Sequence, residues 1–436
     1  MPAIQPFIAD AALPERTQIV VIGGGIIGVS TAIELAERGV DVLVCEKGEI
    51  AAEQSSRNWG WVRVMGRDEA EIPLSQLSQD IWLQMDARHG IDTGFRQTGV
   101  TYLCETQGQL DSYRHWLAAA QRFGVRSELI DGAEVAARYP GSGRQWAGAL
   151  HTPTDGRAEP ARAVPEMAEG ARRLGVRILT RTAVRCLDLD QGHVTGVFTE
   201  HGRVACEGVV VAGGAWSRHF LRNAGIGFPQ LKILNSVQRT VPGPGPTEGA
   251  LGTPEFGMRR RDDGGFTIAE RNTSLAQLTP DYFELLPDYL GAVLRNWQEY
   301  RLRFGRQFFE ELRWRRRWQP NETTVFEQIR TLDPAPDRAG LARAMRAVGR
   351  AFPALSGAAI AEQWAGYIDV TPDAVPVIGP VPAITGLFLA SGFSGHGFGI
   401  GPGSGRLMAT LVRGETPAVD PRPFRFDRFR STRRAA

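Results

Sequence analysis

The feature that most constrains this chain is a glycine turn held between a short strand and a helix. Gln18 to Ile22 (QIVVI) is an apolar, β-branched run that reads as a buried strand. Gly23-Gly24-Gly25-Ile26-Ile27-Gly28 follows with no spacer, Val29 to Arg38 carries helical spacing, and Gly39 stops it. A second strand, Val40 to Cys45, runs into Glu46, 18 residues after Gly28. Strand, turn, helix, strand and acid together make the dinucleotide fingerprint in its required context. Gly23 permits the tight turn, Gly25 lets backbone approach a pyrophosphate, and Gly28 lets the helix lie on the strand. The helix N-terminus offers free N–H groups to phosphates, and Glu46 suits a ribose diol while repelling a 2′-phosphate.

Composition removes several other classes. Hydrophobic residues make up 42% and charged residues 22% of the 436, which excludes a disordered or collagen-like chain. Fifty basic against 48 acidic residues leave a formal charge of +2, too balanced for a nucleic-acid binder. The four cysteines form no C-x-x-C pair, so neither a disulfide framework nor a metal site is expected. No apolar run reaches the roughly 18 residues of a membrane span. The first residues, MPAIQPFIADAALPERTQ, have neither a basic start nor a long apolar stretch. The expectation is a cytoplasmic protein, with peripheral contact to the inner membrane as an option.

The fingerprint does not choose between FAD and NAD, but the rest of the chain does. An NAD domain continues with more βα units. Here a polar segment, GEIAAEQSSRNWGWVRVMGRDEAEIPL, intervenes, followed by a helix over about 73–88. Strands resume at 176–179 and 183–187, the second carrying Val184, and a hairpin then feeds the apolar strand Gly208 to Val211.

GGGIIG with Glu46, Ser55-Ser56, TPTDGRAEPAR (152–162), VVVAGGAWS (209–217), TPDAVPVIG (371–379) and GFSGHGFGIGPG (392–403) occur in this order. Over roughly 16–415 the chain thereby resembles the FAD-dependent D-amino-acid-oxidase-like oxidoreductases, which include glycine oxidase, sarcosine oxidase and D-amino-acid dehydrogenase. The resemblance implies an α/β fold: a split Rossmann-like FAD-binding domain with an inserted α+β substrate domain carrying a mixed or antiparallel sheet. The boundaries drawn from it are 15–90, 150–234 and 341–420 for the FAD domain, 91–149 and 235–340 for the substrate domain, and 421–436 for a loosely ordered tail. It implies non-covalent FAD held by Gly23, Gly25, Gly28, Glu46, Lys47, Ser55, Ser56, Val184, Ala212, Gly213 and Trp216. Gly395, Gly397 and Phe398 would meet the flavin. The glycine cluster 392–405 is read as a loop leading into a helix from about Arg406, with Pro402 suited to a first turn.

The substrate end is less explicit. Arg63 matches an arginine that related sequences place near the flavin, where it suits a carboxylate, although a surface arginine is an equal reading. His396 is either structural or in touch with flavin or substrate. The related arginine two residues after W-x-G is Ile368 here, which weakens the case for a simple α-amino acid. Asp369 beside Tyr367 would receive a second cationic nitrogen or cap a local turn. Thr267 and Gly399 stand near two positions where sarcosine-oxidase-like sequences carry lysine, and Gly366 where they carry the flavin-linked cysteine. The expected activity is oxidation of the C–N bond of a D-amino acid, an N-substituted amino acid or a basic amine, yielding an imine that hydrolyses. A quinone or carrier is favoured over oxygen as acceptor. The alternatives are a 2-hydroxy-acid dehydrogenase and the flavin-bearing subunit of a heteromeric dehydrogenase. The arginine- and aromatic-rich stretch 295–320 reads as one amphipathic helix, its arginines solvated or forming a dock for an acceptor or membrane.

Overall fold

A computed structural model describes residues 1–296 and 300–429. Its first sheet has six strands among the described residues, in the order Val377–Pro380, Leu387–Ser391, Gly208–Val211, Ile19–Ile22, Val42–Cys45 and Arg177–Leu179. Only the Val377–Pro380 edge runs antiparallel. The inner strands are continuously apolar because both faces are covered. Ile19, Val21, Val42 and Val44 enter one core; Val20, Leu43, Val209 and Val211 enter the other. Helix Ile26–Ala36 leaves the glycine turn, and Ile72–His89, Pro160–Arg173 and Gly397–Val412 also cover the first face.

A second, mixed sheet has ten strands among the described residues. Its centre is Leu231–Thr240, paired antiparallel with Ile360–Val370 from Leu231 opposite Val370 to Thr240 opposite Ile360. The pairing sets Tyr367 opposite Leu234 and Asp369 opposite Lys232. Phe256–Arg260 and Phe266–Glu270 follow, and Val100–Cys104 joins through Ala250–Gly252.

Three local expectations change. The helix read over 295–320 is not one element: Leu286–Asn296 is helical, Tyr300–Arg303 is a strand and Arg306–Leu312 a separate helix. Trp297 lies outside the described residues. Of the residues in that rhythm, Phe304 and Leu312 are exposed while Phe308 and Trp314 are half-buried, so they do not form one buried stripe. The tail is anchored through 429, with Phe424, Phe426 and Phe429 buried. Finally, the helix after the last glycine cluster begins at Gly397, placing Pro402 inside it rather than in its first turn. Ser78 Oγ donates to the Gly399 carbonyl and accepts from Gly403 N, and Trp82 Nε1 donates to the same carbonyl. These contacts hold the proline-interrupted half of the helix on Ile72–His89.

Candidate active site

A cavity of about 490 Å³ is lined from both sheets. One end is made of backbone. Gly23 (φ +116°) lies against the next strand so closely that a Cβ would meet the Ala212 carbonyl at 2.4 Å. A Cβ on Gly25 would meet Ser55 Oγ at 2.9 Å. Ser55 accepts from Ile26 N at 2.9 Å, at the start of the first helix. Gly28 does not line the cavity; its Cβ would lie 2.0 Å from the Gly23 carbonyl, so its task is the helix–strand approach. The Glu46 carboxylate accepts from Gly24 N and Gly48 N, each at 2.7 Å. Burial raises its pKa against the opposing pull of Lys47 and those two amides. Lys47 is tied to Glu53 and to the Ile329 and Arg330 carbonyls, and lies 4.4 Å from the centre of the Trp216 ring. Val184, Ala212, Gly213 and Trp216 complete this end. Ser56 departs from expectation: it is buried, its hydroxyl faces the Glu53 carbonyl, and it is not in the lining. A turn of bare backbone, a helix start and a carboxylate at the next strand end fit an adenine dinucleotide.

The other end begins at Gly392. Gly395 (φ +83°), His396, Gly397, Phe398 and Gly399 line the cavity at the start of the 16-residue helix Gly397–Val412. Asp369 pins the preceding loop: its Oδ2 accepts from Gly392 N at 2.6 Å and from Ser391 Oγ and Gln230 Nε2 at 3.1 Å, while its carbonyl accepts from Ser394 N. Asp369 is therefore a loop anchor, not an open receptor for a cationic nitrogen, and burial raises its pKa. Tyr367 lines the cavity, but its hydroxyl donates to Gln277. His396 Nδ1 meets Glu71 Oε2 at 3.1 Å. Burial and Arg67 lower the His396 pKa, and His396, Arg67 and Arg63 hold Glu71 below the usual carboxylate range against the cost of its burial.

Past this helix start the lining turns to cations and rings. Arg63 and Arg271 lie against the same Tyr102 ring, their guanidinium carbons 5.7 and 3.9 Å from its centre. Arg63 also donates to the Met65 carbonyl. Arg67, one helical turn's worth of sequence beyond Arg63, is 3% exposed and also lines the cavity. Trp59 and Trp61 stand edge to face, 5.2 Å apart, at the same end. Sequence reasoning singled out Arg63 but gave Arg67 and Tyr102 no role. Their signal, an arginine four residues after another in an otherwise apolar stretch, is weak without the fold.

The glycine turn, the acid and the continuous cleft fit a dinucleotide cofactor, and a family profile over most of the chain decides which group it belongs to. The chain belongs to the FAD-dependent oxidoreductases. The profile of that family matches residues 18–411. By fold the chain is similar to an L-amino acid deaminase from Proteus myxofaciens solved with anthranilate. The two share 30% identity over 98% of this chain and 97% of that one, with a TM-score of 0.95. Among curated proteins it is 27% identical to the mouse mitochondrial pyruvate dehydrogenase phosphatase regulatory subunit, covering 91% of this chain and 41% of that one. It is 28% identical to 4-methylaminobutanoate oxidase (formaldehyde-forming) of Paenarthrobacter nicotinovorans, covering 96% and 46%. The chain thus spans less than half the length of these two relatives. The split α/β architecture expected from the sequence agrees with these likenesses. Among the described residues there is no cluster of metal ligands and no helix long and apolar enough to cross a membrane.

Proposed function

We propose that this chain holds FAD non-covalently and oxidises the Cα–N bond of an L-α-amino acid, sending the electrons to a quinone or protein carrier. The observation that carries this reading is the single cleft whose bare-glycine end suits a dinucleotide and whose far end suits a carboxylate. When bound, FAD supplies the two-electron acceptor for the substrate's Cα hydride. The amine loses a proton to solvent, and water hydrolyses the resulting imine to an oxo acid and ammonia. Glu46 holds the adenosine ribose, and the start of helix Gly397–Val412 gives its positive end to the redox-active part of the cofactor. Trp59, Trp61, Tyr102 and Phe398 exclude water around the reacting carbon, while Arg63, Arg67 and Arg271 orient the carboxylate.

A basic amine is disfavoured because Asp369 is committed to its loop and the far end is cationic. The likeness to an L-amino acid deaminase favours the L-enantiomer. Non-covalent attachment is supported at Gly366, where a Cβ would meet Arg57 Cδ at 3.1 Å. A carrier rather than oxygen is supported by the chain's two lysines: Lys47 is paired with Glu53 and Lys232 with Glu311. A Cβ at Gly399 would lie 3.0 Å from the Trp61 carbonyl. Thr267 is buried in its strand, taking a bond from Arg261. Exposed Phe283, Leu286, Leu290, Leu294, Phe304 and Phe309 would suit a peripheral membrane contact where a quinone is reached.

The test is anaerobic flavin bleaching across a panel of L- and D-amino acids, amines and 2-hydroxy acids, followed by stopped-flow reoxidation. Bleaching by L-amino acids and faster reoxidation by a quinone analogue than by oxygen are expected. Bleaching by hydroxy acids alone would contradict the substrate reading, and equally fast oxygen would make the protein an oxidase.

A further inference from the structure

The chain pairs its buried arginines with acids almost without exception. Arg57 meets Asp333 at 2.9 Å, Arg157 meets Asp262 at 2.8 Å, Arg218 meets Glu284 at 2.8 Å, and Arg259 meets Glu159 at 2.7 Å. Arg67 is the exception among the described residues. It is as buried as the others, makes no ion pair, and its Nη1 has no hydrogen-bond partner. Its guanidinium makes one long bond, from Nε to the Arg63 carbonyl.

The neighbouring cavity arginines repeat the pattern. Neither Arg63 nor Arg271 makes an ion pair among the described residues; each donates to a backbone carbonyl and lies on Tyr102. Two acids lie near enough to act on Arg63 and Arg67 through space, but their hydrogen bonds go to other groups. Glu71 is held by His396. Asp155 accepts from Val64 N at 2.8 Å, Met65 N at 3.2 Å and Gln79 Nε2 at 2.6 Å. Three guanidiniums thus line one end of the cavity with no carboxylate in direct contact among the described residues, Glu71 and Asp155 acting on Arg63 and Arg67 only through space. Such an arrangement is costly for the protein alone, because the charges repel and one is fully desolvated.

A single α-carboxylate takes one guanidinium bidentately or two monodentately, leaving a buried cation unmatched. We propose that the substrate carries two carboxylates: the site selects a dicarboxylic amino acid, one carboxylate being the α-group and the other that of a short side chain, both bound among Arg63, Arg67 and Arg271. This rests on the reading of the cleft as an amino-acid oxidation site and names its substrate class. The reaction balances as above: the Cα hydride carries two electrons to the bound flavin, a proton leaves the amine, and hydrolysis yields an oxo-dicarboxylic acid and ammonia.

The test uses the FAD-loaded protein and two readouts. With a dye as acceptor, L-glutamate and L-aspartate should exceed L-glutamine, L-asparagine and L-norvaline in kcat/KM by about 100-fold or more, since the uncharged analogues leave a buried cation unpaired. By calorimetry, glutarate, which has no amine to oxidise, should bind at least about 30-fold tighter than butyrate. In Arg67→Met and in Arg271→Met, flavin content serving as the folding check, that glutarate-to-butyrate ratio should fall below about 5. Should either variant fail to fold, the wild-type ratio alone decides. Neutral amino acids turned over as well as L-glutamate, with glutarate no tighter than butyrate, would overturn the dicarboxylate proposal while leaving amino-acid oxidation standing. Tight glutarate binding with no amino acid bleaching the flavin would uphold the dianion site and overturn the oxidation reading.

Discussion

The two ends of the cleft are built from different materials. At the glycine end the lining is largely backbone, Gly23, Gly25 and the start of the first helix, with Glu46 and Lys47 beside it. At the far end the lining is side chains, three guanidiniums and a set of rings presented from residues 59–67, 102 and 271. Backbone recognition depends on what is missing, since no atom may protrude. It tolerates almost no substitution, yet it is written in a short, fixed spacing. Side-chain recognition depends on charge that the rest of the protein leaves unbalanced. It can be retuned one residue at a time, and the fold assembles it from distant segments.

The comparison predicts a graded set of effects. Gly28→Val should be the most severe, because a Cβ there already lies 2.0 Å from the Gly23 carbonyl. Forcing the first helix off its strand should cost about 3 kcal/mol or more and leave a colourless protein, measured by flavin content and denaturant unfolding. A yellow variant of normal stability would mean that the helix–strand approach does not matter. Glu46→Ala should weaken FAD binding by about 2–4 kcal/mol, roughly 30- to 1000-fold, and Glu46→Asp by less. Once FAD is saturating, glutarate affinity in Glu46→Ala should stay within about threefold of wild type, because the two ends act separately. A parallel loss at both ends would break the division.

The smallest effect concerns pH at the far end. Burial raises Asp155 from its usual range to about 6. The folded state therefore holds this proton more tightly than the unfolded chain, and stability from this group falls as pH rises from about 4 through about 6. The cost above that window is up to about 3 kcal/mol. Asp155→Asn removes it, so the variant's stability relative to wild type should improve between pH 4 and pH 7, measured by urea unfolding at each pH. A constant difference would show that the Val64, Met65 and Gln79 donors already compensate for the buried charge.

The same contrast explains what could be read from the sequence. The strand–turn–helix–strand unit was legible because its residues are contiguous and each glycine has one reason to be there. The last glycine cluster misled. Glycines usually argue against a helix, yet a Cβ on Gly405 would sit 2.5 Å from the Ser30 carbonyl carbon and one on Gly403 2.7 Å from the Leu74 carbonyl. The helix Gly397–Val412 uses glycine to lie close on two neighbours, and that packing outweighs propensity. Asp369 was open between a group for a cationic nitrogen and a local turn cap; it turned out to be an anchor, but its partners Gln230, Ser391 and Gly392 lie too far along the chain to be foreseen. Arg63 and Arg271 come to one ring only through the second sheet, where Val100–Cys104 carries Tyr102 and Phe266–Glu270 leads into Arg271.

The central claim is that one cleft holds a dinucleotide at its glycine end and a substrate dianion at its arginine end. The most direct measurement is a crystal structure of the FAD-loaded protein with glutarate. The adenosine ribose should lie on Glu46, the pyrophosphate over Gly23–Gly25, and both glutarate carboxylates on Arg63, Arg67 and Arg271. FAD running in the opposite direction, or glutarate bound away from those arginines, would contradict it.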